Sequence, residues 1–156
     1  MPVALLHQQL ETELESIQVL AQLLHDESNA LLARAQPQVL ANLSQRKTAM
    51  FERLQAQGQE RDRLLAQLGH AAGQAGTDAA ADAHPDLQPV WQALRQAAAA
   101  ARDQNERNGV YIHTHLRYTT EALAALREAQ ARTALYGPRG RQAPASPTAS
   151  TRSHRA

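Results

Sequence analysis

VALLHQQLETELESIQVLAQLLHDESNAL, residues 3–31, decides the fold. Val3, Leu10, Ile17, Leu24 and Leu31 recur every seven residues. Leu6 and Leu20 fall at the matching second position, and Leu14 and Ala21 widen the stripe. A seven-residue apolar repeat sustained this long is a helix-packing seam. The spacing predicts a helix over about residues 3–34. Glu13 and Glu27 interrupt the second position of the repeat. So interrupted a seam suits the core stripe of a bundle better than a self-pairing zipper.

The pattern repeats downstream. Pro37 stops the first helix and can open the next, because a missing N–H costs nothing at the first helical position. A second helix is expected over about 38–68, with Leu40, Leu43, Met50, Leu54, Leu64 and Leu68 on one stripe. Lys47, Gln57 and Arg61 fall on the same stripe. Long polar stems can cover apolar surface while their heads reach water, so one flank of this helix is expected to be wet. Residues 69–85 hold three glycines and no large apolar residue, which predicts a flexible linker. Asp86 is a candidate N-cap for a third helix over about 86–132, with Pro89 tolerated in its first turn. Its stripe runs through Leu87, Trp91, Leu94, Ala98, Ala101, Ile112, Leu126 and Ala129. At 1.5 Å per residue this helix is roughly 70 Å long against about 45–50 Å for the others, so one end overhangs or the helix bends. Residues 137–156 carry Pro, Gly, Ser, Thr and Arg without a large apolar residue and are expected to be disordered. The fold expected is therefore all-α: an antiparallel helical hairpin plus a long third helix in a three-helix, coiled-coil-like bundle (residues 1–136), then a disordered basic tail.

Composition narrows the function classes. Aromatic residues make up only 3% of the chain, which suits narrow Leu and Ala seams better than a bulky core. The absence of cysteine removes disulfides, thiolate zinc sites and cysteine nucleophiles together. The N-terminus lacks the features of a signal peptide, and no stretch approaches the ~20 apolar residues that span a bilayer. The expected compartment is the cytoplasm, with no stable membrane insertion. Four of the 16 basic residues, Arg139, Arg141, Arg152 and Arg155, lie in the tail, which has no acid. The body keeps 12 basic against 15 acidic residues, net −3, which is the wrong sign for a nucleic-acid binder.

No catalytic, cofactor or metal constellation emerges. His113 and His115 are two apart and face different sides of a helix. The glycines of 69–76 follow no strand, as a phosphate loop requires. Two segments stand out instead. Asn105, Asn108 and Gly109 put two amides on the seam and a glycine in mid-helix. Gly costs about 1 kcal/mol there relative to Ala, which suggests close backbone approach, and a seam Asn can fix register. These three residues are either packing and register devices or ligand contacts. Leu135, Tyr136 and Gly137, followed by Pro138, end the last helix. They form either a packed cap or a short recognition element.

These two segments resemble the FlgN family of flagellar export chaperones, whose third helix carries an N-x-x-N-G-like stretch. About two dozen residues later comes an L-Y-G-x-x-G-like stretch and a polar, basic tail. The matches here are Asn105, Asn108 and Gly109, then Leu135, Tyr136, Gly137 and Gly140. The resemblance implies a non-enzymatic type III export chaperone that binds the C-terminal helices of hook-associated (hook–filament junction) proteins. It would prevent their premature assembly and deliver them to the flagellar export gate. On that reading Leu116, Ala122, Leu123, Leu126 and Ala129, on the overhanging end, are expected to bind the client. Leu135, Tyr136 and Gly137 are expected to dock at the gate. The alternatives are a structural coiled-coil or homodimeric adaptor, or a chaperone for another flagellar client.

Overall fold

The computed structural model describes residues 1–136. Among them are four α-helices, α1 (Pro2–Leu32), α2 (Pro37–Gln67), α3 (Gly73–Ala83) and α4 (Gln88–Tyr136), with a 3-10 turn at Pro85–Leu87 and no strand. The disordered tail expected over 137–156 lies outside the described residues. The chain divides into two compact units, Met1–His113 and Thr114–Ala156.

In the first unit α1 and α2 pack as the expected antiparallel hairpin. Glu13 meets Arg61 and Glu27 meets Lys47, so partners climb one helix as they descend the other. The turns at both ends of α2 follow from local chemistry. After α1, Ala35 N–H donates to Ala30 C=O at 2.9 Å and Arg34 N–H to Leu31 C=O at 3.3 Å. This is the Schellman closure, and it puts Arg34 at a φ of 52°, unusual for a residue with a Cβ. After α2 the same closure recurs, His70 N–H to Leu65 C=O at 2.9 Å, with Gly69 at φ 80° in the left-handed position. Pro37 opens α2 as its missing donor predicts.

The core is the predicted seam. Leu6, Leu10, Leu20 and Leu24 of α1 pack with Leu64 and Leu65 of α2 and with Leu87, Trp91 and Leu94. Leu23, Ala30 and Leu43 make a smaller cluster backed by Leu40 and Met50.

Three expectations need correction. Residues 69–85 contain no large apolar residue, yet 73–83 form an 11-residue helix, so the bundle has a fourth helix where a linker was expected. The reason is close approach. Gly76, Thr77, Ala80 and Ala81 are all buried, and small side chains let α3 lie against its neighbours. A Cβ on Gly76 would overlap the carbonyl of Ala71. Polar contacts hold both halves of α3: Gly73 N–H donates to Asp62 Oδ1 at 2.8 Å, and Trp91 Nε1–H to Asp78 Oδ1 at 2.7 Å. Asp86 is also not the cap of the last helix. It sits inside the 3-10 turn, and α4 begins at Gln88 with Pro89 in its first turn. The helix continues to Tyr136 rather than stopping near residue 132.

Candidate functional site

The seam between α1 and α2 is stitched by polar pairs. Arg61 Nη1 donates to Glu13 Oε2 at 2.7 Å, Gln57 Nε2 to Ser16 Oγ at 2.9 Å, and Lys47 Nζ to both oxygens of Glu27 at 3.0 and 3.1 Å. Lys47, Gln57 and Arg61 therefore line no wet flank. They answer the interruptions of the first stripe, and the Lys47 and Arg61 side chains are only 17% exposed. Burial pushes the Glu13 carboxyl above its ordinary value; the Arg61 charge pulls it down by less. One short ion pair does not compensate the loss of water around that carboxylate.

Asn108 carries this polar layer to a third helix. It is fully buried. Its Nδ2 donates to Leu24 C=O at 2.9 Å and to Glu27 Oε1 at 3.0 Å, and its Oδ1 accepts from Gln104 Nε2 at 2.8 Å. Glu27 thus joins α2 through Lys47 and α4 through Asn108. Every hydrogen-bonding atom of the Asn108 amide group is used within the protein or its own turn, which favours the register reading over ligand contact. Asn105 is half-buried one turn earlier. Gly109 does not do what its position suggested. It is exposed, and a Cβ there would meet nothing within 4 Å. One residue on from inward-facing Asn108, it has rotated about 100° away from the seam. The glycine that does need close approach is Gly76.

The second unit, through its described residues, is a single helical stretch with an amphipathic surface. Leu116, Leu123 and Leu126 are 58%, 49% and 54% exposed, and Ala122 and Ala129 are exposed beside them. They recur at three-, four- and seven-residue steps, hence on one face. Thr119 and Thr133 lie on that face and donate their hydroxyls to the backbone four residues back, at 2.9 and 3.0 Å. Their polarity is spent on their own helix. The opposite side carries the pairs Arg117–Glu121 at 3.8 Å and Glu128–Arg132 at 2.8 Å. Such pairs contribute about 0.3–0.5 kcal/mol each, and an isolated helix of this length is marginal in water. The expected client-binding residues thus share one uncovered apolar face. Leu135 is 70% exposed, which is not a packed cap. The Tyr136 side chain and Gly137 lie outside the described residues.

Among the described residues, no group of three metal-ligating side chains stands together, and no helix is long and apolar enough to cross a membrane. The polar ladder was the part of this arrangement the sequence reading missed. Its signal was present: acids interrupt one stripe and bases the next, in opposite order.

Among known protein families, the model for "FlgN protein" matches residues 1–144. No curated protein and no solved structure matches the chain.

Proposed function

The chain belongs to the FlgN family of flagellar export chaperones, and from that premise we propose that the uncovered face of Thr114–Tyr136 is where it holds its client. The client is the C-terminal helical region of a hook–filament junction protein, bound in the cytoplasm, kept from assembling early and handed to the export gate. Leu135, Tyr136 and Gly137 are the docking element for that hand-over, which leaves the client face free for its cargo. The observation that supports this reading is the half-exposure of Leu116, Leu123 and Leu126 on a helix with ion pairs on its other side. A client helix laid against such a stripe gains anchors at three- and four-residue steps. A protein that polymerises through helical termini needs those termini masked, and a helical stripe is a fitting mask.

The magnitude is testable. Fully burying a Leu side chain is worth about 1.5–3 kcal/mol, so three half-exposed leucines offer roughly 2–4 kcal/mol. Leu126→Asp removes one anchor and places a carboxylate in the interface. Binding of the client's C-terminal segment should fall at least about 100-fold, equivalent to roughly 3 kcal/mol. Thermal stability should be unchanged, because Leu126 is half-exposed and belongs to neither core cluster. Leu10→Asp, at a fully buried position, should instead unfold the first unit. Tyr136→Ala should keep client binding and reduce swimming motility. If folded Leu126→Asp captures the client as well as wild type, the client face lies elsewhere.

A further inference from the structure

A pocket of about 420 Å³ opens among α1, α2, α3 and α4 within the first unit. Ile17, Leu54, Trp91 and Leu94 give it an apolar wall. Glu13 and Arg61 stand in that wall, and Arg95 and Arg102 line the α4 side two helical turns apart. The Arg61 guanidinium lies 5.5 Å from the centre of the Trp91 ring.

Three observations set this pocket apart from a packing defect. The first is Gly58, in the middle of α2, where glycine weakens a helix relative to alanine. Gly58 has no left-handed φ to require it, and a Cβ there would meet only Arg61 Nη2, at 3.9 Å. Gly58 lines the pocket, and the space a side chain would take there is open. The second is the state of the polar wall. Glu13 is 95% buried, with an exposure of 5%, yet its Oε1 has no hydrogen-bond partner, nor has Arg61 Nε. These are one acceptor and one donor, the complements of a peptide N–H and C=O. Both belong to residues that line the pocket, and the terminal torsion of a glutamate turns easily. The third is charge. Glu13 is taken by Arg61 and Asp78 by Arg95, whereas no carboxylate among the described residues lies within ion-pair distance of Arg102.

We propose that this pocket docks a short acidic segment of a partner polypeptide, with an apolar side chain against Trp91, Ile17 and Leu54 and a neighbouring carboxylate on Arg102. Arg95 is exposed beside it and only loosely engaged with Asp78, at 3.4 Å, so it can share the same carboxylate. Guanidinium groups pair with carboxylates through fixed, often two-pronged donors, which gives the site direction as well as charge. The site belongs wholly to the first unit and stands independently of where the second unit holds its client.

The chain has a single tryptophan, Trp91, and it lines this pocket, so its emission is a probe of the site. The probe is an array of synthetic hexapeptides that combine Leu or Phe with one to three Asp or Glu, each with a counterpart carrying Lys for the acid. The full chain is titrated with each at low and high salt. Saturable changes in Trp91 emission are expected with acidic members only, weakening as salt rises. Gly58→Leu should melt at or above the wild-type temperature and lose at least 10-fold in affinity. Arg102→Glu, at an exposed position, should keep the fold, lose the acidic peptides and gain some of the Lys counterparts. It carries the test if Gly58→Leu is poorly folded. No saturable response to any acidic peptide, equal response to the Lys counterparts, or undiminished binding by Arg102→Glu overturns the proposal.

Discussion

Replacing Asn108 by Asp changes almost no volume and reverses the chemistry of one buried atom. In the protein Asn108 Nδ2 donates to Leu24 C=O at 2.9 Å and to Glu27 Oε1 at 3.0 Å. An aspartate oxygen in that place faces two acceptors. Two hydrogen bonds are lost, one of them to a charged group and worth about 1.5–3 kcal/mol. Two carboxylates 3 Å apart also repel by roughly 5 kcal/mol at an effective dielectric constant of 20, part of which Lys47 offsets. Protonation limits the damage. Keeping a carboxyl protonated at pH 7 when its unfolded pKa is near 4 costs about 4 kcal/mol, at about 1.4 kcal/mol per pH unit. The protonated acid then restores one donor. The expected loss at pH 7 is therefore about 3–5 kcal/mol, a large part of the stability of a unit this size.

The sign of the pH dependence follows. The new carboxyl has its folded pKa raised above its unfolded value, so the folded state holds its proton longer. Below the unfolded pKa the penalty is absent, and it grows as pH rises through that value toward the folded one. Asn108→Asp should therefore approach wild type near pH 4 and fall furthest behind at pH 7. The assay is urea unfolding followed by Trp91 emission, which reports the first unit, at several pH values on both proteins. A variant that unfolds at the wild-type urea midpoint at pH 7, or whose deficit does not shrink in acid, would show that Asn108 does not join α4 to Glu27.

The remaining predictions are shorter. Gly109→Ala should raise stability by up to about 1 kcal/mol, because the site is open and helical, and a lower melting temperature would mean a neighbour stands close after all. Gly76→Ala should cost about 1–3 kcal/mol by forcing α3 away from the Ala71 carbonyl, seen as faster amide exchange across 73–83. For Glu13, whose folded pKa burial raises, stability contributed at low pH is lost as pH climbs through the ordinary value near 4.5 to the folded value. Glu13→Gln should remove that slope, so wild type should lose ground to it as pH rises above the ordinary value near 4.5; parallel pH profiles would refute the sign.

The seven-residue repeat of α1 was enough to foresee the hairpin, because a periodic apolar stripe has few other ways to be buried. The same reasoning failed at α3 for an identifiable cause. Looking for large apolar residues overlooks helices that bury themselves by proximity, where Ala80, Ala81 and Gly76 contribute by being small. Asn108 was legible as a seam amide, and an amide on a seam must find partners or stay costly. Gly109 was not, because a glycine in mid-helix announces only that a side chain is missing. Whether the gap serves close packing or lies in open space depends on one step of helical rotation.

Gly58 and Gly109 make the same point from opposite directions. Each weakens a long helix, and neither has a backbone conformation or a close neighbour that demands glycine. Gly109 lies on an exposed face. Gly58 borders a pocket whose wall holds an unpaired donor and an unpaired acceptor. A folded chain could gain helix propensity at either position without a clash. At Gly58, though, the side chain would enter a pocket lined by Glu13 and Arg61, each with a buried polar atom that lacks a partner, and by Arg102, which has no carboxylate among the described residues within ion-pair distance. The two glycines therefore predict different outcomes for the same change. A larger residue at position 109 should strengthen the helix and alter nothing else, whereas one at position 58 should strengthen the helix and close a binding site.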